Sequence, residues 1–486
     1  MSISKAYDDH DAVGLAGLVA RGEVSAAELL EEALRRAEAA QARFNCVTLA
    51  QPETARRRVA EGLPDGPLRG VPFVLKDLGA GAVDFPSNSG SRATAGRAAE
   101  QDSNFYARLA AAGLSTFART PSPEFGVGPA TEAAVYGGPT RNPWNPEHTS
   151  GGSSGGSAAC VAAGVVPAAH ASDGAGSIRI PASSSGLYGL KPSRGLMPTG
   201  PVAGDGWGGL ATNGFLSRTV RDTAALLDAT AGGDLGAPHA APIPSMRFGE
   251  AVARPPERLR IGFLRGNLMG ERLHPDCVAA VEDAAKLLES LGHEVEEAPL
   301  PDADTPEVIR AVALLMACDN AGTFRDLAKA EGVAPEALDL EPIAKGALRV
   351  GSDVDGAEVI AGIELVHRYG RKLARWMQPY DAMLTATLAE PPAKVGRFAH
   401  KTEDFWAYRL HPSEGVYAYS PFTASFNATG QPAASLPLFW NEAGLPIGVH
   451  IAMQFGRDAE LTALSAQIEA ARPFTAHRAP GWVGGA

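Results

Sequence analysis

"TSGGSSGGSAAC", residues 149–160, packs four glycines and four serines into a dozen positions. It is a flexible linker, a loop that cradles phosphate, or the floor of a catalytic site. A Gly/Ser linker joins separate domains and tolerates disorder. This stretch instead runs straight into "SAACVAAGVVPAAHAS", residues 157–172, whose small residues suit a tightly packed helix. A phosphate loop places lysine at the head of the following helix, and here no lysine follows until Lys191. The catalytic reading survives, because "GGSSG" and "GSSGG" fit the G-x-S-x-G nucleophile pattern at Ser153 and Ser154.

An α/β-hydrolase would also need an acid and then a histidine further on. His411 and His450 are available, but no local pattern marks either, and both read as ordinary surface or core residues. Closer by lies "SDGAGSIRIPASSSGLYGLKPSRG", residues 172–195. Gly174, Ala175 and Gly176 lead into Ser177, and such small residues let successive backbone N–H groups converge on one point. A developing oxyanion needs that arrangement. Taken alone, the motif is equally a tight turn.

The rest of the chain limits the alternatives. Its 486 residues are 45% apolar and 20% charged, the balance of a soluble globular protein. Net charge is −12 with no dense basic cluster, which argues against nucleic acid and anionic membrane as partners. Cys46, Cys160, Cys277 and Cys318 lie far apart without a CxxC pair, so neither a zinc site nor a disulfide scaffold is expected. No signal peptide and no apolar run of membrane-spanning length is evident, and a cytoplasmic protein is expected.

Residues 1–65 read as mainly helical, with a capping box at Ser25 and Glu28. Val71, Phe73, Val74 and Leu75 suit a buried strand that ends at Lys76, and a helix and a short strand follow up to Thr120. Residues 231–255 look like a long surface connection. Strand, helix and strand are expected over 258–300, helices over 305–375, and two strands and a helix near the end. Helices alternating with short apolar strands indicate an α/β protein with a covered central sheet.

Lys76, Ser153 and Ser177 together resemble the catalytic arrangement of the amidase signature family. The likeness runs through "GVPFVLKD", "RTPSPEFG", "GGPTRNPWNP", "GGSSGGSAA", "DGAGSIRIPAS" and "GLKPSRG", and returns in "FTASFNATGQPAASLP" and "GLPIGVHI". It implies the amidase signature fold, α/β with a large mixed central β-sheet covered by helices on both faces. It implies one amidase domain over 1–486: a helical part about 1–65, a catalytic core about 66–230, a variable middle about 231–400, and a return to the core about 401–486.

By the same resemblance Ser177 is the nucleophile that becomes acylated. Ser153 stands between it and Lys76, across a cis peptide after Gly152. Gly174, Ala175, Gly176 and Ser177 supply the oxyanion hole, although many members have glycine in place of Ala175. Ser154 is expected to hydrogen-bond behind the serine pair, and Asp173 and Arg179 to brace the turn. Lysine is protonated at neutral pH, so a base at Lys76 needs burial to lower its pKa. No metal and no cofactor enters such a mechanism.

The "D-x-A-G-S" variant and "TRNPWNP" look most like the branch of 6-aminohexanoate cyclic-dimer hydrolases and aryl acylamidases. That branch implies a small-molecule amide substrate (anilide, cyclic or linear oligoamide, or urethane) and a monomer or homodimer. Phe125, Val127, Tyr136 and Cys318 are its candidate pocket residues. Two alternatives stay open: a glutaminase-type A subunit of glutamyl-tRNA amidotransferase, which usually carries a polar residue at Ile180, and a non-catalytic scaffold of the same fold.

Overall fold

Ten strands carry the architecture of the computed structural model, which describes residues 2–270 and 272–484. They are β1 (Pro72–Lys76), β2 (Ser115–Thr120), β3 (Ala168–Asp173), β4 (Tyr188–Lys191), β5 (Thr212–Ser217), β6 (Arg260–Phe263), β7 (Glu294–Glu297), β8 (Ala382–Ala386), β9 (Ala433–Trp440) and β10 (Pro446–Met453). Eight form one mixed sheet in the order β3-β5-β4-β9-β10-β8-β6-β7. Pairing is antiparallel from β3 to β8 and parallel across β8, β6 and β7. The large mixed sheet inferred from the sequence is present. The strand that ends in Lys76 stands outside it, paired in parallel with β2.

Every residue of β1 and β2 is buried, including the polar ones of β2. The Lys76 N–H donates to His170 Nδ1 on β3 at 3.2 Å, so a side chain ties the small pair to the edge of the large sheet. Helices cover the sheet. Gly448 and His450 of β10 meet the helix Arg179–Ser185 through Ser183 and Arg179. Val449 and Ile451 point to the opposite face by strand alternation and join the main apolar core.

A second apolar cluster lies beside that core. The helix Thr305–Glu331 contributes Ile309, Ala313, Ala317, Ala321, Phe324 and Ala328 to it, a stripe at three- and four-residue spacing. Ile343, Ala344 and Ala347 of the helix Pro342–Asp353 face it. Among the described residues no helix is long and apolar enough to cross a membrane.

Two expectations need correction. The small-residue run after Ser157 is not one helix: the helix Gly155–Ala162 ends before Gly164, which has φ of +79°. Pro167 follows, and the chain continues as β3, where small side chains fit between buried neighbours. The connection over 231–255 is also not all surface, because Phe248–Val252 is a helical turn that buries Phe248 and Ala251. Leu235 and Ile243 of that connection are exposed as expected.

Candidate active site

The last residue of β1 meets the start of a helix and the end of a strand. Lys76 Nζ donates to Ser153 Oγ at 2.6 Å and to Ser172 Oγ at 2.9 Å. Ser153 and Ser154 immediately precede the helix Gly155–Ala162, and the Gly152–Ser153 peptide is cis. Ser172 and Asp173 end β3. Ser154 Oγ donates to Ser172 O and accepts the Ser172 N–H, both at 3.3 Å. Ser154 thus sits behind the Lys76–Ser153 pair, and Ser172 is a direct lysine partner that the sequence reading missed.

Lys76 is completely buried. Loss of hydration pulls its ammonium down to about 7, and the negative charge of Asp173 only partly opposes this. At neutral pH a large share of the lysine is therefore a free amine. His170, also buried, is held down to about 3 by the same loss of hydration, so it accepts the Lys76 N–H as a neutral ring.

Ser177 follows a turn built around Asp173. The Asp173 carboxylate accepts the Gly176 N–H at 2.6 Å, the Ile178 N–H at 3.0 Å and both Nε and Nη2 of Arg179 at 3.0 Å. Asn427 adds a bond from Nδ2 at 2.9 Å. Against the desolvation of full burial, the Arg179 guanidinium beside it holds this carboxyl far below the usual range. Gly176 has φ of +132°, and a Cβ there would lie 2.4 Å from Thr423 Oγ1, so only glycine fits. Ala175 lies outside the left-handed region, which is why its methyl group is accepted. Thr423 Oγ1 donates to the Ala175 carbonyl at 2.8 Å and fixes the turn from the other side.

The expected oxyanion set changes here. The Gly176 N–H is already given to Asp173, which leaves the N–H groups of Gly174, Ala175 and Ser177 for a developing negative charge. Asp173→Asn should cost about 3–5 kcal/mol of stability in thermal or urea unfolding, because Arg179 would be left buried without its counter-charge. Since the folded carboxyl titrates below its ordinary range, this contribution is complete above the unfolded pKa and fades only as pH falls through the lower folded one.

Ser153, Ser172, Gly174 and Ser177 open onto one cavity of about 320 Å³. Phe125 lines it, and its ring packs edge-on against Phe324. The other three pocket candidates do not line it. Val127 is buried in the second apolar cluster, and the Tyr136 hydroxyl donates to Asp77 Oδ2 at 2.5 Å. Cys318 precedes the helix face that does, which presents Asp319, Asn320 and Thr323. The polar pair Asp319–Asn320 inside the apolar run "AVALLMACDNAG" was the signal available for that face. Trp207, Asp205 and Asn213 also line the cavity and were not foreseen.

His450 and His411 stay apart from this chemistry. His450 Nε2 lies 3.1 Å from Arg179 Nη1, and burial with the neighbouring Arg179 charge pushes the ring well below its usual pKa. His411 accepts the Ser413 and Glu414 N–H groups at an exposed turn. Ile180 packs in the second apolar cluster and against the catalytic turn, where a Cβ at Gly176 would lie 2.8 Å from its Cδ1.

A buried lysine held down to about 7, two serines and a turn of backbone N–H groups beside one cavity are the parts of an acyl-transfer enzyme. The family model for amidases matches residues 28–462, and the chain belongs to the amidase signature family. The chain is 36% identical over 479 residues to the 6-aminohexanoate-cyclic-dimer hydrolase of Paenarthrobacter ureafaciens, covering 96% of each protein. A solved structure of 6-aminohexanoate cyclic dimer hydrolase matches with a TM-score of 0.91 at 33% identity, over 99% of both chains. A bacterial aryl acylamidase structure matches with a TM-score of 0.86 at 28% identity, over 96% of this chain and 98% of that one. The protein is a hydrolase of carbon–nitrogen amide bonds outside peptides.

Proposed function

We propose that the protein hydrolyses small carboxylic amides through an acyl-enzyme on Ser177, with neutral Lys76 as the base. The observation that carries this reading is the 2.6 Å contact of Lys76 Nζ with Ser153 Oγ, beside the cavity that Ser177 also lines. Lys76 draws the proton of Ser153, Ser153 draws that of Ser177, and Ser177 Oγ bonds to the amide carbonyl carbon. The tetrahedral oxyanion is held by the N–H groups of Ala175, Gly174 and Ser177 itself. Return of the proton along the same path protonates the departing amine as the C–N bond breaks. Water, deprotonated by the same relay, then cleaves the ester and releases the acid.

Similarity to a cyclic-dimer hydrolase and an aryl acylamidase supports cyclic or linear oligoamides and anilides as substrates, with urethanes as close chemical relatives. A cavity of about 320 Å³ suits a small molecule acting without a protein partner. A monomer or homodimer in the cytoplasm completes the reading, and the four free thiols support a reducing compartment. The test is mass spectrometry of enzyme quenched during turnover of a slow ester. The acyl mass should appear on the peptide that contains Ser177, and an adduct on Ser153 instead would overturn the assignment.

A further inference from the structure

The helix Thr305–Glu331 presents the face of Asp319, Asn320 and Thr323 to the cavity. Asn320 on that face is only 3% exposed, yet its Nδ2 has no hydrogen-bond partner. Buried amide donors are nearly always satisfied, so a lone one beside a catalytic serine points to an acceptor supplied by a ligand. Asp319, next to it, is mostly buried, with the Trp207 backbone N–H directed at it. Among the described residues no basic side chain pairs with Asp319. Asp205 stands on the same cavity; its Oδ2 lies 3.1 Å from His239 Nε2, and the Arg194 guanidinium also acts on it, whereas Asp319 has no such counter-charge among the described residues.

The cavity lining thus carries two carboxylates and no lysine, arginine or histidine. Neither carboxylate takes part in the Lys76–Ser153 relay. A substrate ending in a carboxylate would meet two like charges here. An ammonium group, with three donors and no acceptor, would answer both acids, while an amide carbonyl would accept from Asn320. Trp207 closes the space between this wall and the oxyanion turn: its ring lies so close to Gly174 that a Cβ there would be 2.4 Å from Cε3.

We propose that the wall formed by Asp319, Asn320 and Asp205 binds the ammonium-bearing end of the substrate, so that the enzyme prefers small amides carrying a primary amine. This rests on the acyl-enzyme reading for its chemistry, but not for its binding.

The test uses a matched pair, hexananilide and 6-aminohexananilide, in two measurements. Calorimetric binding to Ser177→Ala reads the wall without turnover, and kcat/KM of the wild type reads it with turnover. The amine should be favoured about tenfold or more in both, as expected of a charge-assisted contact out of bulk water. Asp319→Asn should reduce the amine-to-neutral ratio about tenfold, Asp205→Asn should shift it in the same direction, and Asn320→Leu should weaken both ligands together. Equal binding of the two anilides, a preference for the neutral one, or an equal loss on both in Asp319→Asn would overturn the proposal. Selective binding of the amine to Ser177→Ala without hydrolysis of either compound by wild type would sink the acyl-enzyme reading and leave the ammonium site standing.

Discussion

Ser177→Ala should remove amide turnover, with an expected loss on the order of 10⁵–10⁶ in kcat, the scale seen when a serine nucleophile acting within a catalytic unit is deleted. The site around it should stay intact. Ser177 is only 8% exposed, and the turn that carries it is held by Asp173, Arg179 and Asn427, none of which depends on its hydroxyl. Substrate affinity should therefore persist in the variant while the acyl adduct disappears. Ser153→Ala should be damaging for a different reason: it leaves the nucleophile but breaks the path from Ser177 to Lys76. Turnover by Ser177→Ala within a hundredfold of wild type would show that another group attacks the carbonyl.

Lys76→Arg and Lys76→Ala should both lower kcat for unactivated amides by about a hundredfold or more, the usual contribution of a positioned base. Arginine keeps the charge but stays protonated at any usable pH, so it cannot replace a free amine. In the wild type, kcat should rise along a single ionisation near pH 7 and then hold level, because the neutral lysine increases as pH passes its folded pKa of about 7. The same shift carries a stability sign. The unfolded lysine, with its ordinary value of 10.5, binds a proton between about 7 and 10.5 that the folded one does not, so the cost of burying it shrinks as pH rises through that range. Activated esters should suffer less than amides in both variants, since their leaving groups need no proton. Near-normal amide turnover by Lys76→Arg would mean that the residue supplies only charge.

The catalytic region was legible because its chemistry is written in short stretches. "GVPFVLKD", "GGSSGGSAA" and "DGAGSIRIPAS" each end or begin a regular element, and the elements bring Lys76, Ser153 and Ser177 to one place. What escaped was contact across long sequence separation. Asn427 and Thr423 lie in the quoted "FTASFNATGQP", but nothing local indicates that they close on a turn about 250 residues earlier. The motif offers four N–H donors in a row, and only the placed Asp173 carboxylate shows that the one at Gly176 is spent inward. Of the pocket candidates Phe125 lines the cavity, and Cys318 misses it for a related reason. Cys318 is one position short of the face that lines the cavity, and a helix turns about 100° per residue.

The helix Gly155–Ala162 is buried at every position, as is Arg179–Ser185, whereas Thr305–Glu331 packs one stripe into the second apolar cluster. Heritable variation meets these parts of the chain unequally. A change in either short helix disturbs folding and chemistry at once, so new substrates are not reached by that route. Asp319, Asn320 and Thr323 can be exchanged while the reacting groups stay where they are. Laboratory selection for a different amide is best begun with a library at these three positions.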